Sequence, residues 1–457
     1  MKRLALFACI LIGVAACKNS GDGQLVGVSN KTKIVAFTPH GMVFVPEGNM
    51  TIGVGENNPT LSFASQPRSV TIPKFWMDET EITNNKYRQF VFWVRDSIAH
   101  ALLGNEDIEG KYGHYLKYKK GERAGEVMDP PLINWREEIP WNSTNEEVIE
   151  ALKPLFTQIN TRYYHYRPLG INVSKLNYEY WTFDYVAAAA KEKEGSPLGG
   201  MFANRPSHID GNLDRFIKRE VVNIYPDTLV WIYEYTYSDN EHMTRNYFSH
   251  PQFNHYPVVG VSWVQCQAFC HWRSQLRNSW LLSNGYSPES DFSLPTESQW
   301  EWAARGGLQG NPYPWGGPYT TTATGCFLAN FKPQRGNFAA DGSLYPSVAA
   351  YYHPNDYGLY DMSGNVAEWC LDDYNPSASA FVSDINPVYK YSANSNTKKA
   401  KVVRGGSWKD ISKYITVYTR DYQYQDSCTS YIGFRCVQLA TVHPKDANKG
   451  SGSKVYR

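Results

Sequence analysis

LPTESQWEWAARGG, residues 294–307, carries the clearest local instruction in the chain. Thr296 is placed to cap a helix and Gln299 falls at its third position, which makes a capping box. Gly306 and Gly307 stop that helix. Just upstream, YPVVGVSW (256–263) reads as a strand running into another helix, on which Val264, Ala268, Phe269 and Trp272 share a face. Cys266 and Cys270 lie four apart on one side of that helix; a disulfide needs a closer, differently oriented pair, so each should seek a distant partner. Downstream come YPWG (313–316), YGLYDMSGNVAEW (357–369), VVRGGSW (402–408) and GFRC (433–436), in that order. At the front, GMVFVPEGNMTIG (41–53) reads as strand, Pro/Gly turn, strand, and VTIPKFWMD (70–78) as one more strand. Thr83 can cap a helix that starts near Asn84 and runs through Tyr87, Phe90, Val91 and Val94.

Between these halves, residues 100–245 are irregular. They hold Tyr-rich pieces (RYYHYRP, LNYEYWTFDY, VWIYEYTY) and a short helical run, AAAAKEKEG. This region reads as an insertion on a core domain. Its aromatic strands would extend a sheet, form a partner surface, or simply pack the inserted part. The whole chain has 457 residues, enough for two to four domains or one large one with insertions. Lys plus Arg is 45 against 44 Asp plus Glu, a balance that gives no argument for nucleic acid or another polyanion. With 33 tyrosines, 14 tryptophans and only 19% charged residues, the chain is not of the disordered, charge-rich kind. No heptad or long helical repeat is visible.

Residues 1–16 read as an export signal: Lys2 and Arg3, then an apolar run from Leu4 to Ala16 too short to span a bilayer. Val14-Ala15-Ala16-Cys17 resembles a bacterial lipobox, with Cys17 as the lipid acceptor; ordinary cleavage near Ala16 is the alternative. Lys18 follows Cys17, which by resemblance to lipoprotein sorting permits delivery to the outer membrane, facing the periplasm. Residues 17–33 form a flexible tether, 34–440 a folded domain, and 441–457 a polar tail. Six cysteines follow Cys17, an even number that suits disulfides in an oxidising compartment and allows 15 full pairings. No Cys/His spacing resembles a zinc site. His250 and His255, beside Pro251, read as loop histidines.

LPTESQWEWAARGG, YPWG, YGLYDMSGNVAEW, VVRGGSW and GFRC, with MVFVPEGNMTIG and FWMDETEITNNKYRQF at the front, are seven ordered motifs that resemble the formylglycine-generating-enzyme (sulfatase-modifying factor) superfamily over about residues 41–95 and 256–438. The resemblance implies an α+β, C-type-lectin-related fold with many loops, here with a large insertion at about 100–245. The lipobox, DETEITNNKYRQFVFWVRDSI, YPDTLVWIYEYTY and the NYFSHPQFNHYPVVGVSW join look like one branch, the PorK/GldK lipoproteins of type IX secretion and gliding motility. That likeness implies a non-catalytic ring component under the outer membrane, associated with itself and with a periplasmic PorN/GldN-type partner, and with no nucleic acid.

The superfamily enzyme binds copper through two cysteines after its RGGS motif, and those positions here are Asp410 and Ile415. Neither supplies a soft thiolate for Cu(I), so no copper is expected and the chain resembles a pseudo-enzyme. No G-x-S-x-G, P-loop or dinucleotide fingerprint appears. Asp361, Gly364, Val366 and Glu368 match positions that bind structural calcium in the enzyme, and Asn330, Phe331, Asp341 and Ser343 match a second set. The resemblance also implies a Cys270–Cys436 disulfide. A second enzyme disulfide is lost, its cysteine being Ala304 here, and Cys266, Cys326, Cys370 and Cys428 stay unassigned, with Cys266–Cys428 as one candidate. The competing readings are a metal-dependent oxidase of the formylglycine-generating type and a calcium-dependent glycan-binding module.

Overall fold

A computed structural model describes residues 37–53, 66–105, 113–157 apart from 120, 122 and 130, 170–183, 216–235, 243, 246–391 apart from 334, and 399–441. The elements, in chain order, begin with β1 (Met42–Val45), β2 (Gly48–Ile52), β3 (Arg68–Ile72), β4 (Phe75–Asp78) and the long helix α1 (Asn84–Asn105). Then follow α2 (Glu146–Leu152), β5 (Asn177–Phe183), β6 (Ile217–Asn223) and the second long helix α3 (Trp263–Ser283). The C-terminal part holds β7 (Phe292–Ser293), α4 (Glu297–Arg305), β8 (Ala367–Asp373), α5 (Ala378–Phe381), β9 (Ala400–Arg404), β10 (Asp421–Tyr424), β11 (Ile432–Gly433) and β12 (Val437–Leu439).

The strands are short and the chain returns often to the same places. One sheet runs β1-β4-β12-β7 and joins residues from the two ends of the described chain; the other runs β10-β9-β8-β11, with β11 parallel to β8. β2–β3 and β5–β6 are separate two-stranded ribbons. The capping box on α4 is present: Gln299 N–H donates to Thr296 Oγ1 and Thr296 N–H to Gln299 Oε1, and Gly306 ends the helix at φ +58°. Ser262 and Gln265 form a second box on α3. Lys86 N–H donates to Thr83 Oγ1 at 3.4 Å, at the start of α1.

Two expected strands differ. Residues 70–78 are not one strand but parts of two, β3 pairing with β2 and β4 with β1 and β12. The break falls at Pro73, which has no N–H for a ladder. YPVVGVSW forms no strand: Val258 N–H goes to Ile82 O, Gly260 N–H to Thr429 O, and Gly260 O accepts from Asp227. Its backbone is satisfied by three separate segments, and Gly260 at φ +73° leaves no room for a Cβ, which would stand 2.3 Å from Asp227 O.

The aromatic strands of the central region do not extend either main sheet. Tyr178 and Tyr180 of β5 and Val222 of β6 turn inward and join Phe90 of α1 and Phe269 and Trp272 of α3 in one buried cluster, with Val148 and Leu152 of α2. Tyr178 stands edge-on to Phe90 at 5.3 Å and its hydroxyl donates to Gln275 Oε1 at 2.9 Å. RYYHYRP and AAAAKEKEG lie outside the described residues. A second cluster, around Phe75, Met77, Trp300 and Val437, fills the space between the first sheet and α4. Among the described residues no helix is long and apolar enough to cross a membrane.

Candidate functional site

Arg435, between β11 and β12, is fully buried and pairs with Glu368 of β8, Nη2 to Oε1 at 2.6 Å and Nε to Oε2 at 2.7 Å. Its remaining donors go to backbone oxygens: Nη1 to Asp78 O at 3.1 Å and Nη2 to Tyr360 O at 2.9 Å. Trp300 Nε1 of α4 also donates to Glu368, at 2.7 Å. Two more carboxyls share this interior. Glu81 accepts from Asn365 Nδ2 at 3.0 Å and from Val366 N–H at 3.3 Å. Asp361, whose own backbone is held at φ +54°, accepts from Ala350 N–H at 2.7 Å. Burial, together with repulsion from Asp361 and Glu368, pushes the Glu81 carboxyl well above its ordinary value. Burial likewise raises Asp361, to about 6, although the Ala350 amide pulls the other way. Burial opposes the charge of Arg435, and Glu368 beside it outweighs burial and holds its pKa up. Three carboxyls thus stand around one guanidinium, and burial with mutual repulsion biases two of them, Glu81 and Asp361, toward the protonated form.

The two oxygen sets expected from the motifs meet here. Gly364 sits at φ +80° against Asn330, where a Cβ would stand 2.3 Å from Asn330 O, and Asn365 N–H donates to that same oxygen at 2.8 Å. In the first set Asp361 Oδ1 is buried without a hydrogen-bond partner, whereas Glu368 is committed to Arg435 and Trp300. In the second, Asn330 Oδ1 is also buried without a partner, while its Nδ2 donates to Tyr345 O at 2.9 Å. Asp341 accepts from Phe331 N–H at 2.8 Å and from Ser343 N–H at 3.3 Å. Among the described residues no three His, Cys, Asp or Glu side chains gather to hold a metal. A cation here would rest on amide and carbonyl oxygens more than on carboxylates. The orphaned Asn330 oxygen beside Asp341 suits a hard cation; at the first set Glu368 would have to leave Arg435.

The RGGSW loop is fixed by its own hydrogen bonds. Asp410 accepts from Ser407 N–H at 2.9 Å and from Ser407 Oγ at 2.7 Å. Ile415 is fully buried with Tyr313, Ala329 and Phe331. Above this loop lies the segment after Asp227. Trp231 stacks on Trp408 with ring centres 6.3 Å apart, Tyr345 meets Trp408 edge-on at 5.2 Å, and Lys409 Nζ pairs with Glu234 Oε1 at 2.7 Å. Ser430 Oγ donates to the same Glu234 oxygen at 2.5 Å. VWIYEY therefore fastens the central region onto the loop that follows RGGS.

No disulfide joins the six described cysteines in this structure. Cys270 and Cys436 come together, with sulfurs 3.5 Å apart. Burial pushes Cys266, Cys270 and Cys370 well up and Cys428 up to about 12, so none is an activated nucleophile. Cys326 is exposed. Cys17 lies outside the described residues. Glu81, Arg435 and Glu234 are the residues that motif reading missed as a set. Glu81 stands inside DETEITN and Arg435 inside GFRC, but nothing in the spacing shows that their charges interact across more than 350 positions.

Residues 29–440 match the sulfatase-modifying factor enzyme 1-like domain, and the chain belongs to that family. It is 35% identical over 191 residues to inactive C-alpha-formylglycine-generating enzyme 2 of Mus musculus, covering 40% of this chain and 49% of that protein. It is 34% identical over 204 residues to formylglycine-generating enzyme of Streptomyces coelicolor, covering 44% and 55%. The chain thus spans about half the length of the curated relatives it matches. Among solved structures, PvdO from Pseudomonas aeruginosa aligns over 87% of this chain and 94% of its own at 14% identity, with a TM-score of 0.43. The family membership and the mixed helix-and-strand architecture agree with the seven-motif reading.

Proposed function

We propose that this protein is a non-catalytic scaffold: an outer-membrane lipoprotein, anchored through Cys17 and facing the periplasm, that forms a ring with further copies of itself and a PorN/GldN-type partner in type IX secretion or gliding. The observation that carries the non-catalytic part is the chemistry of the RGGSW loop. Asp410 spends its carboxylate on Ser407, Ile415 has no ligand atom, and Trp231 and Glu234 close over Trp408 and Lys409. Copper chemistry of the formylglycine-generating kind needs two thiolates where this chain has a carboxylate and a hydrocarbon. The similarity to a relative described as inactive is in keeping with this reading, although an active enzyme is similar to nearly the same degree. The scaffold part rests on the resemblance of Val14–Cys17 to a lipobox and of the sequence pieces quoted above to the PorK/GldK branch. Calcium at Asn330, Phe331, Asp341 and Ser343, and in part at Asp361, Gly364 and Val366, would brace loops that no long sheet supports.

The test is gentle extraction from outer membranes, sizing, and mass spectrometry of what travels with the protein. A ring-shaped particle of megadalton scale containing a second periplasmic protein is the expected result. A lone monomer that stays monomeric in lipid would end the scaffold reading. Stoichiometric copper binding with oxygen consumption would end the non-catalytic one.

A further inference from the structure

Outside these loops, two histidines face each other. His100 lies on α1 and His114 on the stretch that follows it; their Nδ1 atoms are 2.9 Å apart and their ring centres 5.0 Å apart. The residues are 2% and 1% exposed. Two ring nitrogens make a hydrogen bond only when one carries a proton and the other does not. When both rings are charged, both nitrogens are donors and the contact turns repulsive. The same stretch also meets α1 through Tyr115, whose ring lies so close to Gly104 that a Cβ there would stand 2.4 Å from it, and through Trp135, which stacks on Trp93 at 5.1 Å and stands edge-on to His100 at 5.5 Å. Within itself it is tied by Leu116 N–H to Leu132 O at 2.7 Å, Met128 N–H to Leu116 O at 3.0 Å and Asn134 N–H to His114 O at 2.8 Å.

We propose that His100 and His114 form an acid-labile clasp, which holds the described stretch around His114, Tyr115 and Trp135 against α1 and releases it when both rings take up protons. The inference is independent of the scaffold reading. The charged groups that face the pair come from both sides. Asp96 of α1 and Glu137, just beyond the stretch, favour a charged His100, and Asp96 is itself tied to Arg95 at 2.7 Å. His114 faces His100, which opposes its charge. Burial is the larger effect at both, holding His100 below its ordinary value and His114 down at about 4. A histidine lowered in the folded state stabilises the contact fully above its unfolded value and loses that contribution as the pH falls. The clasp is therefore closed above about pH 6.5 and opens between there and about pH 4. Opening uncovers Trp93 and the Ala101–Gly104 turn of α1, which Tyr115 and Trp135 otherwise meet.

Hydrogen exchange on the full chain, corrected for the intrinsic pH dependence of exchange, tests this. Protection of the Leu116, Met128 and Asn134 amides should fall by about ten-fold or more between pH 7 and pH 4.5, while amides of the β8–β9 pair keep theirs. In the His100→Gln/His114→Gln variant the extra acid sensitivity should vanish. Protection that survives to pH 4.5 in the wild type, or is lost equally in the variant, would overturn the clasp. If the double variant does not fold, imidazole 15N signals of the wild type decide. Rings that titrate well below 6.5 together with the loss of protection support it. A ring that titrates near 6.5 while the stretch stays protected refutes it.

Discussion

The region around β8, β9 and Arg435 and the region around β5 and β6 are held by different physics. In the first, charged side chains sit in the interior and several are ion-paired there: Arg435 with Glu368, Arg404 with Glu301, Asp78 with Arg273 at 2.8 Å, and Lys401 with Asp373 at 2.5 Å. In the second, the interior is aromatic and aliphatic, and the ion pair between Arg219 and Glu179 lies outside, with Trp181 and Val221 exposed beside it. Buried charges tolerate little substitution, because removing one partner strands the other in a medium that solvates it poorly. Buried apolar groups tolerate changes of shape that conserve volume. Motifs written in charged and turn residues stand out in the first region for that reason, and the second shows only an excess of tyrosine.

The contrast can be pressed by mutation. Arg435→Ala should cost the most, about 3–5 kcal/mol, because Glu368, Asp361 and Glu81 would then share the interior without a counter-charge; chemical denaturation measures it, and a loss under 1 kcal/mol would mean that protons or a bound cation already neutralise the carboxyls. Trp231→Ala should cost about 3 kcal/mol, through lost packing against Trp408 and Tyr247. If it instead leaves stability unchanged, the central region is not fastened to the RGGSW loop as described. Chelation should come next. If calcium occupies the Asn330–Asp341 loops, EDTA should lower the melting temperature by an amount equivalent to roughly 1–3 kcal/mol, reversed by calcium and not by magnesium. An unchanged melting curve would remove calcium from the account. Glu179→Ala should change stability least, with no measurable shift in the denaturation midpoint, since the Arg219 pair is in solvent. A clear loss there would place the β5–β6 ribbon among the charge-dependent parts of the fold.

Much of the architecture was legible from short pieces. Thr296 with Gln299 and the Thr83 cap each prescribe a helix start through one or two side-chain hydrogen bonds, and Gly306 prescribes a helix end by taking a left-handed backbone. YPVVGVSW misled because a short apolar run signals burial, and burial here is met by scattered backbone partners instead of a ladder. The cation sets could be named from DMSGNVAE and its neighbour, yet the sequence could not show that Glu368 is claimed by Arg435, a residue 67 positions on. Nor could it show that Glu81 joins them, or that VWIYEY reaches Trp408. These contacts depend on how loops cross, and loop crossing leaves no periodic trace.

The order of strands in the first sheet sets the order of events in folding. β12 lies between β4 and β7, so one of the two inner strands of that sheet comes last along the chain and pairs with residues more than 350 positions earlier. Until Leu439 has emerged, β4 and β7 have no common neighbour, Asp78 lacks the Cys436 amide that donates to it at 2.9 Å, and Glu368 lacks Arg435. A chain of this topology closes late and slowly, since its longest loops must be drawn in before their contacts repay the lost entropy. Its nascent form would expose Phe75, Met77 and Trp300 for as long as that takes, and would depend on whatever shields apolar surface in the compartment where it folds.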